Sequence, residues 1–190
     1  AILSADDKGA IALAPLVRGR LRIFSIEHPV NDGAFVHENH IWLRDGSGRE
    51  TIVCPLEVIK LRGRHNLLNI CASVTLADSV DIPVNAMIKA INSFHGVDHR
   101  LELVTTINGV QYINDSIATA PERALAAIDS FNEPLILLAG GKDKNMVWDK
   151  WARHVHERIT HVIIFGDLAQ LLEEQLEQQR LADGKGANIL

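Results

Sequence analysis

Apolar and polar residues alternate in two different ways along the chain, and the pattern changes near residue 98. Before that point the apolar stretches are short, and turn-forming residues such as Asn31-Asp32-Gly33 separate them between residues 21 and 59. This pattern predicts an antiparallel meander of strands. Two amphipathic repeats follow, one from Asn66 to about Ser79 and one from Pro83, and they predict helices. Asn66 is the predicted N-cap of the first helix.

The break in pattern around residues 94–100 predicts a domain boundary, which divides the chain into residues 1–97 and 98–190. Shortly after it, Asn108-Gly109 separates two apolar runs, a strong signal for a β-hairpin. The predicted fold class is α/β, with an antiparallel meander plus helices followed by a Rossmann-like domain that has a mainly parallel sheet. Ile189-Leu190 resembles the start of a further strand, so we expect the second domain to be incomplete.

Three strand–loop–helix units are predicted in the second domain, with strands ending near Asn114, Ala139 and Phe165. Consecutive units of this kind predict parallel strands with right-handed crossovers. The uninterrupted apolar run 135–139 further predicts a strand buried on both faces. Parallel strands end at one edge of the sheet, where open α/β sheets bind ligands. We therefore expect the polar residues that follow these strands to be neighbours at one rim: Asp115, Lys142, Asp143, Lys144 and Asp167.

The loop after the first of these strands has the sequence of a helix start. Thr119 and Glu122 stand three residues apart just before an apolar helical repeat, which fits a capping box. Pro121 suits the first turn of a helix because it has no N–H to leave unsatisfied. The sequence therefore predicts a helix near residues 121–131 that begins close to Asp115.

The composition indicates a folded protein and makes several classes of protein improbable. The 190 residues are 47% hydrophobic and 23% charged, with a net charge of -5 and no Lys/Arg block, which argues against a nucleic-acid partner. No apolar run approaches the roughly 18 residues of a membrane span. Cys54 and Cys71 form no CxxC pair, so we expect a reducing, cytoplasmic location. The chain begins at Ala1 without an initiator Met, and we expect it to be a fragment of a longer protein.

The loop at the predicted rim combines glycine with positive charge. Lys142 and Lys144 follow Gly140-Gly141, which fits an anion site for a carboxylate or a phosphate, although these residues alone favour a plain turn with solvated lysines. No GxGxxG or GxxxxGK[ST] sequence is present, which argues against a dinucleotide site or a main phosphate loop here. His37 and His40, on a predicted hairpin edge, lack the helical spacing of a zinc site, and no metal ligand is predicted.

Four sequence motifs in register resemble the Mur ligase family. They are Gly63-Arg64-His65-Asn66-Leu67-Leu68-Asn69, His99-Arg100-Leu101-Glu102, Asn114-Asp115-Ser116-Ile117-Ala118-Thr119 and Gly140-Gly141-Lys142-Asp143-Lys144. The pattern is most similar to the family members that add D-glutamate to UDP-N-acetylmuramoyl-L-alanine, and it covers essentially the whole chain. Four motifs in the family's order are much more specific than any one of them.

The resemblance implies an ATP-dependent amide ligase of peptidoglycan precursor synthesis, which supports cell-wall formation, cell shape and cell division. Residues 1–97 would be the later part of the central ATP-binding domain, and residues 98–190 most of the C-terminal domain that binds nucleotide and amino acid. In the family, ATP phosphorylates the substrate carboxylate and the amine of the amino acid attacks the acyl phosphate. The resemblance also implies Mg²⁺, with its main ligands upstream of this chain, and a full-length protein that is a monomer. We expect the chain alone to be inactive.

The resemblance also assigns roles to individual residues by their place in the motifs. Asn66 and Asn69 would contact the adenine side of ATP, and Asp115 would contact the ribose. Arg100 would be catalytic, contacting the reacting phosphate and the glutamate. Such chemistry depends on positioning and on stabilising the charge of the phosphoryl group.

Thr119 and Lys144 would hold D-glutamate. The chain departs from the family at Ile117, where a lysine is usual, so that a cation is missing or is replaced by Lys142 or another charge. Two alternatives stay open: a folylpolyglutamate-synthase-like ligase, and a nucleotide-binding module without catalysis.

Overall fold

The computed structural model describes residues 1–142, 144–180 and 186–190, and the chain divides into two compact units. The first unit is Ala1–Gly96 and the second is Val97–Leu190, whereas the sequence predicts a boundary one residue further on. Each unit has its own hydrophobic core. Asp143, which the sequence places at the rim, lies outside the described residues. No helix in the described ranges is long and apolar enough to cross a membrane.

The first unit contains the predicted antiparallel meander. Its elements are β1 (Ile2–Ser4), α1 (Lys8–Ile11), β2 (Arg22–Phe24), β3 (Gly33–His37), β4 (His40–Arg44), β5 (Glu50–Pro55), α2 (Arg64–Asp78) and α3 (Val84–Ser93). Strands β3, β4 and β5 pair antiparallel in that order. Strand β2, predicted to belong to the meander, instead pairs in parallel with β1, because residues before the predicted meander supply a partner strand.

Helix α2 covers the sheet of the first unit and is joined to it by a buried hydroxyl group. Thr75 Oγ1 accepts the N–H of Ala34 at 2.9 Å and donates to the carbonyl of Cys71 at 2.8 Å. Thr75, Ala34 and Cys71 are all fully buried. The same helix is fixed at its end by Arg22, which is buried and lies 2.7 Å from both Asp32 and Asp78. Polar contacts thus set the position of α2 within an apolar core.

The start of α2 differs from the prediction. The helix begins at Arg64, after Gly63 with φ 91°, and no side chain caps it. Asn66 lies within the first turn, where its Nδ2 donates to the carbonyl of Arg62 at 2.7 Å. The prediction of Asn66 as the N-cap is therefore wrong, because glycine can adopt the positive φ that brings the chain into the helix earlier.

The second unit combines a hairpin with a parallel sheet. Its elements are β6 (Glu102–Ile107), β7 (Val110–Asn114), α4 (Pro121–Ile128), β8 (Ile136–Gly140), α5 (Asp149–Arg158), β9 (His161–Phe165), α6 (Ala169–Gln178) and β10 (Asn188–Ile189). Strands β6 and β7 form the predicted hairpin, closed by Asn108-Gly109 with φ 51° and 82°. The sheet has the order β10-β9-β8, and all its pairs are parallel. The predicted α/β fold class is confirmed.

One predicted strand pairing is wrong in the second unit. Strand β7 pairs antiparallel with β6 in a separate two-stranded sheet and is not part of the parallel sheet within the described residues. The tight turn at Asn108-Gly109 gives β7 a local partner, and the strand–loop–helix pattern alone does not reveal that pairing.

Helices cover one face of the parallel sheet. Their buried side chains, including Trp151, Val155 and Leu172, form the core with Val162 of β9. On the other face of β8, Ile136 and Leu138 are each 64% exposed, so the prediction of a strand buried on both faces is wrong for the described residues. A continuous apolar run therefore indicates a strand here without establishing that both faces are covered.

Candidate functional site

Arg100 lies in a constrained loop that leads into β6. The residues on either side of it, His99 and Leu101, have φ values of 64° and 47°. Positive φ is uncommon in residues other than glycine and costs on the order of 1–3 kcal/mol at each position. Such a backbone persists only where surrounding contacts hold it.

Backbone groups on both sides of Arg100 are hydrogen bonded. The N–H of Leu101 donates to Asp115 Oδ1 at 3.0 Å, and the N–H of His99 donates to Glu102 Oε2 at 2.8 Å. The carbonyl of His99 accepts the N–H of Ile117 at 3.2 Å. Hydrogen bonds therefore join the Arg100 loop to the loop that contains Asp115. The motif that begins at His99 and the motif that begins at Asn114 are thus in direct contact.

Asn114 is the second side chain that joins these loops. Its Nδ2 lies 3.2 Å from Glu102 Oε2 and 2.9 Å from His99 Nδ1, and its Oδ1 accepts the N–H of Ser116 at 3.1 Å. In the hairpin register Asn114 stands opposite Glu102. Neither Glu102 nor Asn114 has a role predicted from the sequence, although both lie in the motifs that resemble the family. The hairpin turn alone does not point to them, because the strand register shifts by one residue between Leu103 and Thr105.

The loop cluster presents the groups needed to hold a charged substrate. Arg100 is exposed, and its planar guanidinium can grip a phosphate or carboxylate with two hydrogen bonds. Asp115 is partly buried and already accepts one backbone N–H. The cluster therefore fixes the backbone that carries Arg100 next to the carboxylate of Asp115.

The carboxyl ends of β8 and β9 form a second group of loops. Gly140 is paired with Phe165, and an added Cβ at Gly140 would lie 2.5 Å from the carbonyl oxygen of Phe165, so that only glycine fits. Beyond the strands, the N–H of Leu168 donates to the carbonyl of Gly141 at 3.0 Å. The two loops are thus bonded to one another.

Three of the predicted rim residues follow these two strands. Lys142 and Lys144 come after β8, Asp167 comes after β9, and all three are exposed. Asp115 follows β7, which belongs to the separate hairpin, so strand pairing does not bring it to this edge. The sheet therefore supports a shared rim for the two lysines and Asp167. For Asp115 the reasoning from parallel strands is wrong, because β7 is not a strand of that sheet.

Thr119 lies in the turn before α4. The N-cap of α4 is Ala120, and no side chain caps this helix, so the predicted capping box of Thr119 and Glu122 is wrong. Pro121 does occupy the first turn as predicted. Because its hydroxyl does not cap the helix, the exposed Thr119 side chain keeps its predicted role as a substrate contact, and that role stays a prediction.

Asn66 and Asn69 lie on α2 in the first unit, three residues apart. Asn66 is buried and its amide group is bonded to Arg62, whereas Asn69 is exposed. The two side chains therefore differ in environment, and the shared role in adenine binding stays a prediction for both.

One group of metal-ligating side chains occurs within the described part of the chain, formed by Asp6, Glu27 and His28. Asp6 accepts hydrogen bonds from Ser25 Oγ at 2.5 Å and from the N–H of Ile26 at 2.7 Å. Glu27 pairs with an arginine of α2. Protein donors thus occupy these carboxylates, and a histidine is a poor ligand for Mg²⁺. The cluster does not fit the Mg²⁺ that the resemblance implies, and no step of the reaction is assigned to it.

Comparison with known proteins identifies the family. Residues 99–188 match the family described as Mur ligase, glutamate ligase domain. A UDP-N-acetylmuramoylalanine--D-glutamate ligase of Clostridium tetani is 35% identical over 93% of this chain, and one of Pelotomaculum thermopropionicum is 37% identical over 92%. This chain belongs to the Mur ligase family. It spans 37% and 38% of the length of those two relatives, so this Mur ligase chain corresponds to little more than a third of each.

Solved structures agree with the family at the level of fold. MurF from Acinetobacter baumannii aligns with a TM-score of 0.68 at 16% identity, covering 93% of this Mur ligase chain and 40% of that chain. MurF from Thermotoga maritima, solved in complex with ADP, aligns with a TM-score of 0.62 at 19% identity, covering 100% and 43%. Folylpolyglutamate synthase from Thermotoga maritima gives 0.59 at 20% identity, covering 97% and 45%. At these identities the alignments establish a shared fold.

Proposed function

We propose that the protein to which this chain belongs is an ATP-dependent ligase that joins D-glutamate to UDP-N-acetylmuramoyl-L-alanine. The observation that carries the proposal is the bonded loop cluster, in which the backbone beside Arg100 donates to Asp115 across 3.0 Å. Two residues that the family resemblance assigns to one reaction are thereby joined. The names of relatives at 35% and 37% identity support the choice of D-glutamate.

In the proposed reaction, the terminal phosphoryl group of ATP passes to the carboxylate of the muramoyl-alanine nucleotide, releasing ADP. The amine of D-glutamate then attacks the acyl carbon, and the tetrahedral intermediate loses inorganic phosphate and a proton to give the amide. The protein contributes mainly by holding the reactants in line and by stabilising negative charge on the phosphoryl oxygens.

Each predicted site residue has a role in this proposal. Arg100 stabilises the reacting phosphate, because a guanidinium carries a fixed charge and two aligned donors. Asp115 accepts from the hydroxyl groups of the ribose while it fixes the Arg100 loop. Lys144 and Thr119 hold D-glutamate, with the lysine supplying charge to a carboxylate.

Asn66 and Asn69 contact the adenine side of ATP in this proposal. Ile117 stands where the family usually has lysine, and in this proposal Lys142 supplies the positive charge that Ile117 lacks. ATP is consumed as a substrate, and Mg²⁺ is held by residues outside this chain. We further infer from the family resemblance that the full-length protein is a cytoplasmic monomer.

The deciding experiment is ligation by the full-length protein with ATP, Mg²⁺ and the muramoyl-alanine nucleotide. D-glutamate is tested against L-lysine, meso-diaminopimelate and L-alanine, with release of phosphate and formation of the amide both measured. We expect product with D-glutamate and little with the other three. A preference for another amino acid would contradict the proposed substrate, and ATP binding without any ligation would favour a nucleotide-binding module.

A further inference from the structure

We propose that Glu102 is a positioning residue, which holds Arg100 in its working geometry without touching the substrate. The inference rests on the proposed function, because it assigns Arg100 to the reacting phosphate. It deepens that function by naming the group that controls the arginine. Asn114 supports Glu102 from the facing strand.

The backbone on either side of Arg100 is strained. With φ values of 64° and 47°, His99 and Leu101 adopt a conformation that their side chains disfavour. A free loop of this sequence would relax away from it, and the direction of the intervening arginine would change with it. Something outside the three residues must therefore hold the loop.

The hydrogen bonds show which groups hold it. Glu102 Oε2 accepts the N–H of His99 at 2.8 Å, and Asp115 Oδ1 accepts the N–H of Leu101 at 3.0 Å. The loop is thus fixed by a carboxylate at each end, immediately before and after Arg100. Asp115 has its own proposed contact with nucleotide, whereas Glu102 sits at the start of β6 and has its oxygen directed at the loop.

Asn114 fixes the carboxylate of Glu102 in turn. Its Nδ2 donates to the same Oε2 at 3.2 Å, so that this oxygen accepts from both the loop and the facing strand. The pairing of Glu102 with Asn114 in the hairpin register keeps the two side chains opposite one another. The hairpin thereby fixes the backbone position of Arg100. The negative charge of the Glu102 carboxylate makes each of these hydrogen bonds stronger than one between neutral groups.

The test measures kcat and the KM values of the full-length protein carrying Glu102→Ala or Glu102→Gln. The alanine variant lacks the acceptor, and we expect kcat to fall by about tenfold or more, because one charge-assisted hydrogen bond is lost. The KM for ATP and for D-glutamate should each change by less than about threefold, because the substrate contacts proposed for residues other than Arg100 remain. The glutamine variant keeps an oxygen that can accept the N–H of His99, so it should retain most of the activity. Glu173→Ala, which removes an exposed carboxylate on α6, is the matched control.

A double mutant separates positioning from general destabilisation. If Glu102 acts through Arg100, then Arg100→Ala with Glu102→Ala should be within about twofold of Arg100→Ala alone, since the arginine is no longer there to be misplaced. If the fold-losses in kcat of the two single variants instead multiply in the double mutant, Glu102 acts independently of Arg100, and the inference would be overturned.

Crystal structures of the full-length variants give a readout that does not need activity. We expect φ at His99, whose N–H Glu102 holds, to leave the positive region in Glu102→Ala and to stay positive in Glu102→Gln. Positive φ retained in the alanine variant, or its kcat within twofold of wild type, would overturn the positioning role. Failure of the wild-type protein to ligate would instead overturn the proposed function and leave the structural readout standing.

Discussion

Thr75→Val should destabilise the first unit, because the buried hydroxyl of Thr75 joins α2 to the sheet. Replacing Thr75 with valine keeps the shape of the side chain but removes the hydroxyl oxygen that accepts the N–H of Ala34. Ala34 is fully buried, so its N–H would be left without that acceptor. A buried donor without a partner costs about 1–3 kcal/mol in the free energy of unfolding.

The chain's two cysteines provide the assay. Both Cys54 and Cys71 belong to the core of the first unit and are buried, so their modification by a thiol reagent reports opening of that unit. When closing is faster than labelling, the rate follows the equilibrium population of the open form. A loss of 1–3 kcal/mol should therefore accelerate labelling about 5-fold to 150-fold in Thr75→Val.

Thr75→Ser is the matched control because it keeps the hydroxyl and loses one buried methyl group. That loss is worth about 0.8 kcal/mol, or roughly a fourfold acceleration. Hydrogen exchange of the Ala34 amide gives a second comparison, since this amide should lose protection in the valine variant and largely keep it in the serine variant. Slower cysteine labelling in Thr75→Val than in Thr75→Ser would refute the reasoning.

Three further predictions concern Arg100, Lys144 and Cys71. Arg100→Ala should reduce ligation by the full-length protein more than Arg100→Lys, and both should be below wild type, because an ammonium cannot reproduce the guanidinium fork; wild-type turnover in both variants would contradict this. Lys144→Ala should raise the KM for D-glutamate about tenfold or more and change that for ATP much less; the opposite result would assign Lys144 to the nucleotide. Burial raises the pKa of the Cys71 thiol to about 12. Between about pH 9 and 12 the unfolded chain therefore binds fewer protons at this site than the folded chain does, and the unfolding free energy should fall by about 1.4 kcal/mol per pH unit from this group. Urea titrations read out by cysteine labelling measure the unfolding free energy at each pH. In Cys71→Ala, the fall with pH that comes from this thiol should be absent.

The elements that local patterns determine were predictable from the sequence. The hairpin at Asn108-Gly109 and the helices α5 and α6 follow from turn chemistry and from the spacing of apolar residues. Helix starts were less predictable, because Gly63 and Ala120 begin helices without any side-chain cap. Capping sequences indicate where a helix could begin, whereas backbone conformation decides where it does.

The parts of the site that the sequence did not reveal depend on strand register. A two-residue turn with regular pairing would place Leu103 opposite Asn114, but an irregularity between Leu103 and Thr105 shifts the register by one residue. Glu102 therefore faces Asn114, and its side chain can reach the Arg100 loop. A bulge reverses which side chains meet, and its position depends on contacts that periodicity does not encode.

The exposed face of β8 has a practical consequence for handling this chain. Ile136 and Leu138 project from one strand with Ile163 and Phe165 beside them on β9, and all four are exposed. Exposed apolar surfaces of this kind associate in water, because contact between two of them releases the water that covers both. We expect the isolated chain to bind an apolar dye, to elute late from a hydrophobic column and to scatter more light as its concentration or the salt concentration rises. Leu138→Lys, in the middle of the patch, should reduce all three effects without disturbing the core on the opposite face.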